Sequence, residues 1–160
     1  MTSSKMTIDT STPTDIVTTR TFDAPRDLVW AAHTQPEHLR AWCLGPDGWD
    51  MTVCEMDVRV GGQWRYGWAR SDDGSGYFEM HGENLEVTPT TRLVHTEFFG
   101  DSPPMVVTTT FDEHDGRTTV TLVMHLPDQA TRDAVLASGM SGGMEIGYDR
   151  LERLLASIRV

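Results

Sequence analysis

Residues 127–158 read PDQATRDAVLASGMSGGMEIGYDRLERLLASI, and this stretch decides the fold. Met140, Met144, Ile146, Leu151, Leu154, Leu155 and Ile158 recur at helical spacing, so the apolar period here is near 3.6. About 20 residues of helix span roughly 30 Å, enough to cross a whole sheet. Four glycines at 139, 142, 143 and 147 each disfavour helix by roughly 1 kcal/mol relative to Ala. Their presence predicts either a broken first turn or a need for space beside whatever the helix covers.

What precedes this stretch has a period of two. From Trp49 to Leu126 short β-rich runs alternate with turn signals: Gly61-Gly62, Asp72 to Gly76, Thr88-Pro89-Thr90, Asp101 to Pro104 and Glu113 to Gly116. Strands joined by short turns pair antiparallel in a meander. Further upstream, Ile16 to Phe22 is rich in β-branched residues and reads as one more strand. Two short helices follow, one ending before Pro36 and one from Pro36 to Trp42. The order strand, two short helices, six strands, long helix is α+β. The sheet must cover one apolar face, and the last helix is the available cover.

The remaining composition sets limits on function. The chain has 160 residues, with 13 basic and 24 acidic side chains, for a net charge of −11. No basic cluster tracks phosphates, so neither nucleic acid nor an anionic membrane surface is expected as a partner. The charge serves solubility or the steering of a cationic partner. No stretch reaches the roughly 18–20 apolar residues of a membrane span, and the N-terminus lacks a secretory apolar run. Residues 1–15 read as a mobile tail and 16–158 as one domain. Cys43 and Cys54 are eleven apart and form no redox or disulfide pattern, as expected of free thiols in a cytoplasmic protein.

Five segments resemble a known family. They are Phe22-Asp23-Ala24-Pro25 with Val29-Trp30-Ala31-Ala32, Thr34, Pro36-Glu37-His38-Leu39 and Trp42; Asp57, Arg59-Val60-Gly61-Gly62 and Trp64; Gly82, Glu86-Val87, Pro89 and Arg92-Leu93-Val94; Thr118-Thr119-Val120-Thr121; and Gly139-Met140 through Leu155. Together they resemble the Hsp90-ATPase-activator homologue family, a branch of the START-like (SRPBCC) superfamily of polyketide cyclases and lipid-transfer proteins. The resemblance implies a helix-grip fold: seven curved antiparallel strands around a long C-terminal helix, with a cavity between them. It does not imply chaperone activation, because the eukaryotic co-chaperones carry a separate N-terminal domain for which these residues do not suffice. Relatives often carry a second Trp after the position of Trp42. Cys43-Leu44 stands here instead, and the smaller side chains reshape the expected pocket mouth.

Strand alternation identifies a lining for that cavity. Trp64, Tyr66 and Trp68 share one strand face, and Phe78 with Met80 share the next, leaving Glu79 and His81 opposite. Val120, Leu122 and Met124 repeat the pattern near the end of the sheet, while Met140, Gly143, Met144 and Gly147 come from the helix. Trp42 is placed at the same ligand, although Trp30 and Trp42 also anchor the short helices. Tyr66 or Tyr148 would be a polar anchor. An aromatic stripe of this kind is equally the pattern of ordinary core packing.

Other chemistry is sparse. The six histidines have no ligand-like spacing, so no metal is expected, and no glycine-rich loop calls for a nucleotide cofactor. Ser138-Gly139-Met140-Ser141-Gly142 lacks the spacing of a nucleophile elbow. His95 and Glu97 share a strand face and, with Tyr148, are the candidates for acid–base catalysis if that face lines the cavity. The commoner outcome is that such residues face solvent. The expected function is binding of a hydrophobic small molecule, aromatic, polycyclic or lipid-like. The alternatives are a cyclase or hydrolase-like enzyme in the same cavity and a chaperone-associated interaction module. Oligomeric state is left open, a homodimer included.

Overall fold

The computed structural model describes residues 5–158. Its strands are β1 (Thr7–Asp9), β2 (Asp15–Phe22), β3 (Trp49–Met56), β4 (Gln63–Arg70), β5 (Phe78–Thr88), β6 (Arg92–Phe99), β7 (Met105–His114) and β8 (Arg117–His125). They form one antiparallel sheet in the order β1-β2-β8-β7-β6-β5-β4-β3. The helices are α1 (Arg26–Thr34), α2 (Pro36–Trp42), α3 (Gln129–Ala137) and α4 (Met140–Ile158). The architecture is the expected α+β helix grip, with α1 and α2 carrying the chain from one side of the sheet to the other.

Two elements depart from expectation. Thr7–Asp9, within the stretch read as a tail, pairs with Thr19 to Val17 and makes an eighth strand where seven were expected. The edge of β2 leaves backbone groups unpaired, and a β-prone Thr-Ile-Asp segment satisfies them. Met6 beside it is 9% exposed. Residues 1–4 of the expected tail lie outside the described residues. The second departure is α3, which is separate from α4. Asp128 caps α3 by accepting from the Thr131 N–H at 2.7 Å, and Gly139, at φ +83, breaks the chain before α4.

One face of the sheet is dry. On β2 the alternation buries Ile16, Thr18, Arg20 and Phe22. Register carries this face across the sheet: Phe111 opposite Val120, Thr109 opposite Leu122, Val107 opposite Met124. Two apolar groups result. The larger joins Phe22, Val29, Leu39, Trp42, Trp68, Phe111, Tyr148, Leu151 and Leu155. The smaller joins Ile16, Val107, Met124 and Leu126. Met144 of α4 packs against both. Arg20 pins the helix to β2, with Nη1 2.9 Å from Asp149 Oδ1 and Nη2 3.4 Å from Glu152 Oε2.

Candidate functional site

The aromatic residues singled out from the sequence come together on the inner face of β4 and β5. Trp64, Tyr66 and Trp68 alternate on β4, with ring centroids 4.7 Å and 6.1 Å apart along the row. Trp68 stacks on Phe78 at 5.1 Å, and Phe78 meets Phe99 edge-on at 5.8 Å. Register places Met80 opposite Tyr66 and beside Phe99. The Trp68 indole N–H donates to the Cys43 carbonyl at 2.8 Å, which ties the end of α2 to this wall. Arg150 of α4 holds the following loop by donating to the carbonyl of Gly45 and to Asp47 Oδ1.

His95 and Glu97 lie on this inner face, not towards solvent. His95 pairs with Val107 and Glu97 with Met105, so both follow the inward register of β7. Their side chains are 17% and 14% exposed, with Nε2 and Oε1 3.5 Å apart. The His95 ring packs edge-on against Trp64 at 5.2 Å. Glu79 and His81 take the opposite face, where His81 stacks on Phe98 at 5.3 Å. Burial raises the Tyr66 hydroxyl well above its ordinary range, and the charge of Glu97 adds to the shift, so Tyr66 is a hydrogen-bond donor at neutral pH.

Gly82 explains how Trp64 fits. A Cβ at Gly82 would collide with the Thr96 carbonyl oxygen and stand 2.8 Å from Trp64 Nε1. The indole edge therefore lies over a bare backbone, and its buried N–H has no protein partner. Asn84, next along the same face, is fully engaged. Its side-chain amide donates to the Asp57 carbonyl at 2.8 Å, and its backbone bonds both glycines of the Gly61-Gly62 turn.

The helix side of the site is sparse. A Cβ added at Gly142 or Gly143 would meet no atom within 4 Å. Gly147, one turn on, packs against Trp42 at 3.5 Å. Met140 packs against the smaller group around Met124, and Met144 against both groups, the one containing Trp68 included. Trp42 and Tyr148, like Trp68, are buried in the larger apolar group. Trp42 donates its indole N–H to the Ala32 carbonyl at 2.9 Å, and Tyr148 is 3% exposed between Phe22 and Trp42. Burial is also the main cause raising the Tyr148 hydroxyl above its ordinary range. Trp49 and Phe99, both touching Phe78, extend the aromatic wall and were not foreseen. Phe99 continues the two-residue spacing of His95 and Glu97, a signal present in the sequence.

Two of the recesses at the surface lie outside the gap between sheet and α4. One of about 540 Å³ is lined by Trp64, Arg65, His81, Gly82, Thr96 and Phe98 among others. One of about 420 Å³ is bounded by Pro25, Asp27, Leu28 and Ile158. Among the described residues, no three His, Cys, Asp or Glu side chains are grouped to hold a metal ion. No helix there is long and apolar enough to cross a membrane.

An antiparallel sheet folded against a long C-terminal helix, with an aromatic inner wall, defines the helix-grip class. Within it, the chain belongs to the family described as activator of Hsp90 ATPase homolog 1-like protein, which matches residues 23–156. A solved protein from Rhodobacter sphaeroides is similar at 30% identity, covering 97% of this chain and 100% of that one, with a TM-score of 0.88. One from Nitrosomonas europaea shares 25% identity over 92% of this chain and 97% of its own, with a TM-score of 0.80. A Mycobacterium smegmatis protein at 24% identity shows the same fold, covering 96% of this chain and 97% of its own at a TM-score of 0.82. No curated protein matches the sequence.

Proposed function

We propose that this protein is a cytoplasmic binder of a small apolar molecule, aromatic, polycyclic or lipid-like, held between the inner face of β4–β6 and the first turns of α4. The observation that carries the reading is the aromatic wall from Trp64 to Phe99, supported by open space on α4, where a Cβ added at Gly143 would meet no atom within 4 Å. A wall of aromatic faces with a few placed polar groups is how small-molecule sites are usually lined. Phe78 and Phe99 are 36% and 48% exposed, so the wall runs out to solvent at one end and gives a guest a way in.

Native mass spectrometry of the purified protein, followed by a thermal-shift screen against aromatic natural products and fatty acids, tests this. A ligand at 100 times its dissociation constant stabilises by about 2.7 kcal/mol. A co-purified mass or a clear shift supports the reading. Absence of both across chemically diverse apolar compounds counts against it.

A second reading, an enzyme acting in the same place, draws on the His95–Glu97 pair. A histidine and a carboxylate 3.5 Å apart on a mostly dry wall are the groups acid–base chemistry requires. Turnover with a pH dependence that disappears in His95→Gln or Glu97→Gln would favour it over binding alone.

A further inference from the structure

We infer that the ligand is cationic: an apolar, aromatic molecule carrying a protonated amine that Glu97 receives. The inference rests on the binding reading above and specifies what that site selects.

Glu97 is a carboxylate on a mostly aromatic wall, 14% exposed, and among the described residues its side chain pairs only with His95, at 3.5 Å. That separation is too long for a good hydrogen bond. A carboxylate taken out of water needs a close, well-oriented partner to offset its lost hydration. Two arginines of neighbouring elements that reach the interior are paired with groups other than Glu97. Arg20 of β2 is held by Asp149 and Glu152, and Arg150 of α4 by Gly45 and Asp47. Burial is the main cause raising the Tyr66 hydroxyl and the Cys43 thiol, and Glu97 adds a smaller part to each.

The surroundings suit a cation as well as the carboxylate does. Trp64, Tyr66 and Phe99 belong to the same wall, and aromatic rings attract ammonium groups. Gly82, across from Trp64 on β5, adds no side chain between the indole and β6. The net charge of −11 draws cations towards the molecule and repels anions. A carboxylate-bearing ligand of the same shape would meet Glu97 with like charge.

Three naphthalene probes of nearly equal size separate the possibilities: 1-naphthylmethylamine, 1-naphthalenemethanol and 1-naphthoate, each titrated by calorimetry near pH 7. The amine is expected to bind about tenfold tighter than the alcohol, and the naphthoate weakest. In Glu97→Gln the amine should lose about tenfold while the alcohol changes less than about twofold, with circular dichroism confirming an unchanged fold. Equal affinity of amine and alcohol for the unaltered protein overturns the inference and leaves the binding reading standing. A preference for the amine that survives Glu97→Gln also overturns it. Failure of all three probes to bind overturns the binding reading, and the inference falls with it.

Discussion

His95 and Glu97 stand side by side on the inner face of β6, their Nε2 and Oε1 atoms 3.5 Å apart, with the imidazole against Trp64. A packed core has no need of such a pair there. Buried polar groups without good partners cost stability and are a common feature of functional sites.

Glu97→Leu follows from that relationship. Removing a poorly paired carboxylate in favour of an apolar side chain of similar length should stabilise the fold by about 1 kcal/mol. Urea denaturation measures it. A loss of stability would make Glu97 a structural residue rather than one retained for a guest.

Arg20 is a second buried charge, 2.9 Å from Asp149 and 3.4 Å from Glu152, with its Nε lacking a hydrogen-bond partner among the described residues. Its side chain is 2% exposed, while Asp149 and Glu152 are 53% and 36% exposed. Arg20→Met keeps the packing near Phe22 and Tyr148 and releases two carboxylates that water can reach. Its cost should be about 1–2 kcal/mol. The double variant Asp149→Asn, Glu152→Gln leaves the guanidinium buried without a counter-charge and should cost more, about 3 kcal/mol. The reverse order would show that the ion pair does not fasten α4 to β2.

His33 gives the fold a pH dependence on the acid side. Its Nδ1 lies 2.8 Å from the Val29 carbonyl, and its Nε2 is buried without a partner between Trp42 and Phe111. Burial, the dominant cause, lowers its pKa from 6.5 to about 4, the Val29 hydrogen bond opposing. Between those values the unfolded chain holds more protons than the folded one. Stability therefore falls as pH drops from about 6.5 towards 4, by on the order of 3 kcal/mol from this group. His33→Phe should flatten that part of a stability–pH profile. An unchanged slope would place the acid sensitivity elsewhere.

The two cysteines should be unreactive while the protein is folded. Burial pushes the Cys43 thiol up to about 12, and burial also raises Cys54. Neither forms much thiolate at pH 8. Iodoacetamide should leave both unmodified in native protein and alkylate both in urea, as read by mass. Rapid native alkylation of Cys43 would mean that the mouth beside Trp68 opens far more than its packing suggests.

The grip fold was legible because its main signals are long and periodic. Ile16 to Phe22 alternates cleanly, and Leu151 to Ile158 keeps helical spacing over two turns. Trp64, Tyr66 and Trp68 could be assigned to one face for the same reason. Alternation fails where a strand bulges. Between Asn84 and Glu86 the register shifts, so Asn84 points inward and Glu86 outward although they are two apart. The inward setting of His95 and Glu97 depends on pairing with Val107 and Met105, a non-local fact that no property of β6 alone decides. The short β1 was hidden because three residues carry little periodicity and form a strand only against the edge of β2. The packing of Tyr148 on Phe22 and the hydrogen bond from Trp42 to Ala32 are tertiary contacts that residue type alone does not announce.

Gly143→Trp is the decisive variant, because it fills the space beside α4 and leaves every residue of the aromatic wall unchanged. The variant and the unaltered protein would be titrated with the same apolar ligand, and both melted without it. A folded variant whose ligand affinity drops at least tenfold is the predicted result. Affinity equal to that of the unaltered protein, in a variant that melts as the parent does, would contradict the placement of the site between the sheet and α4.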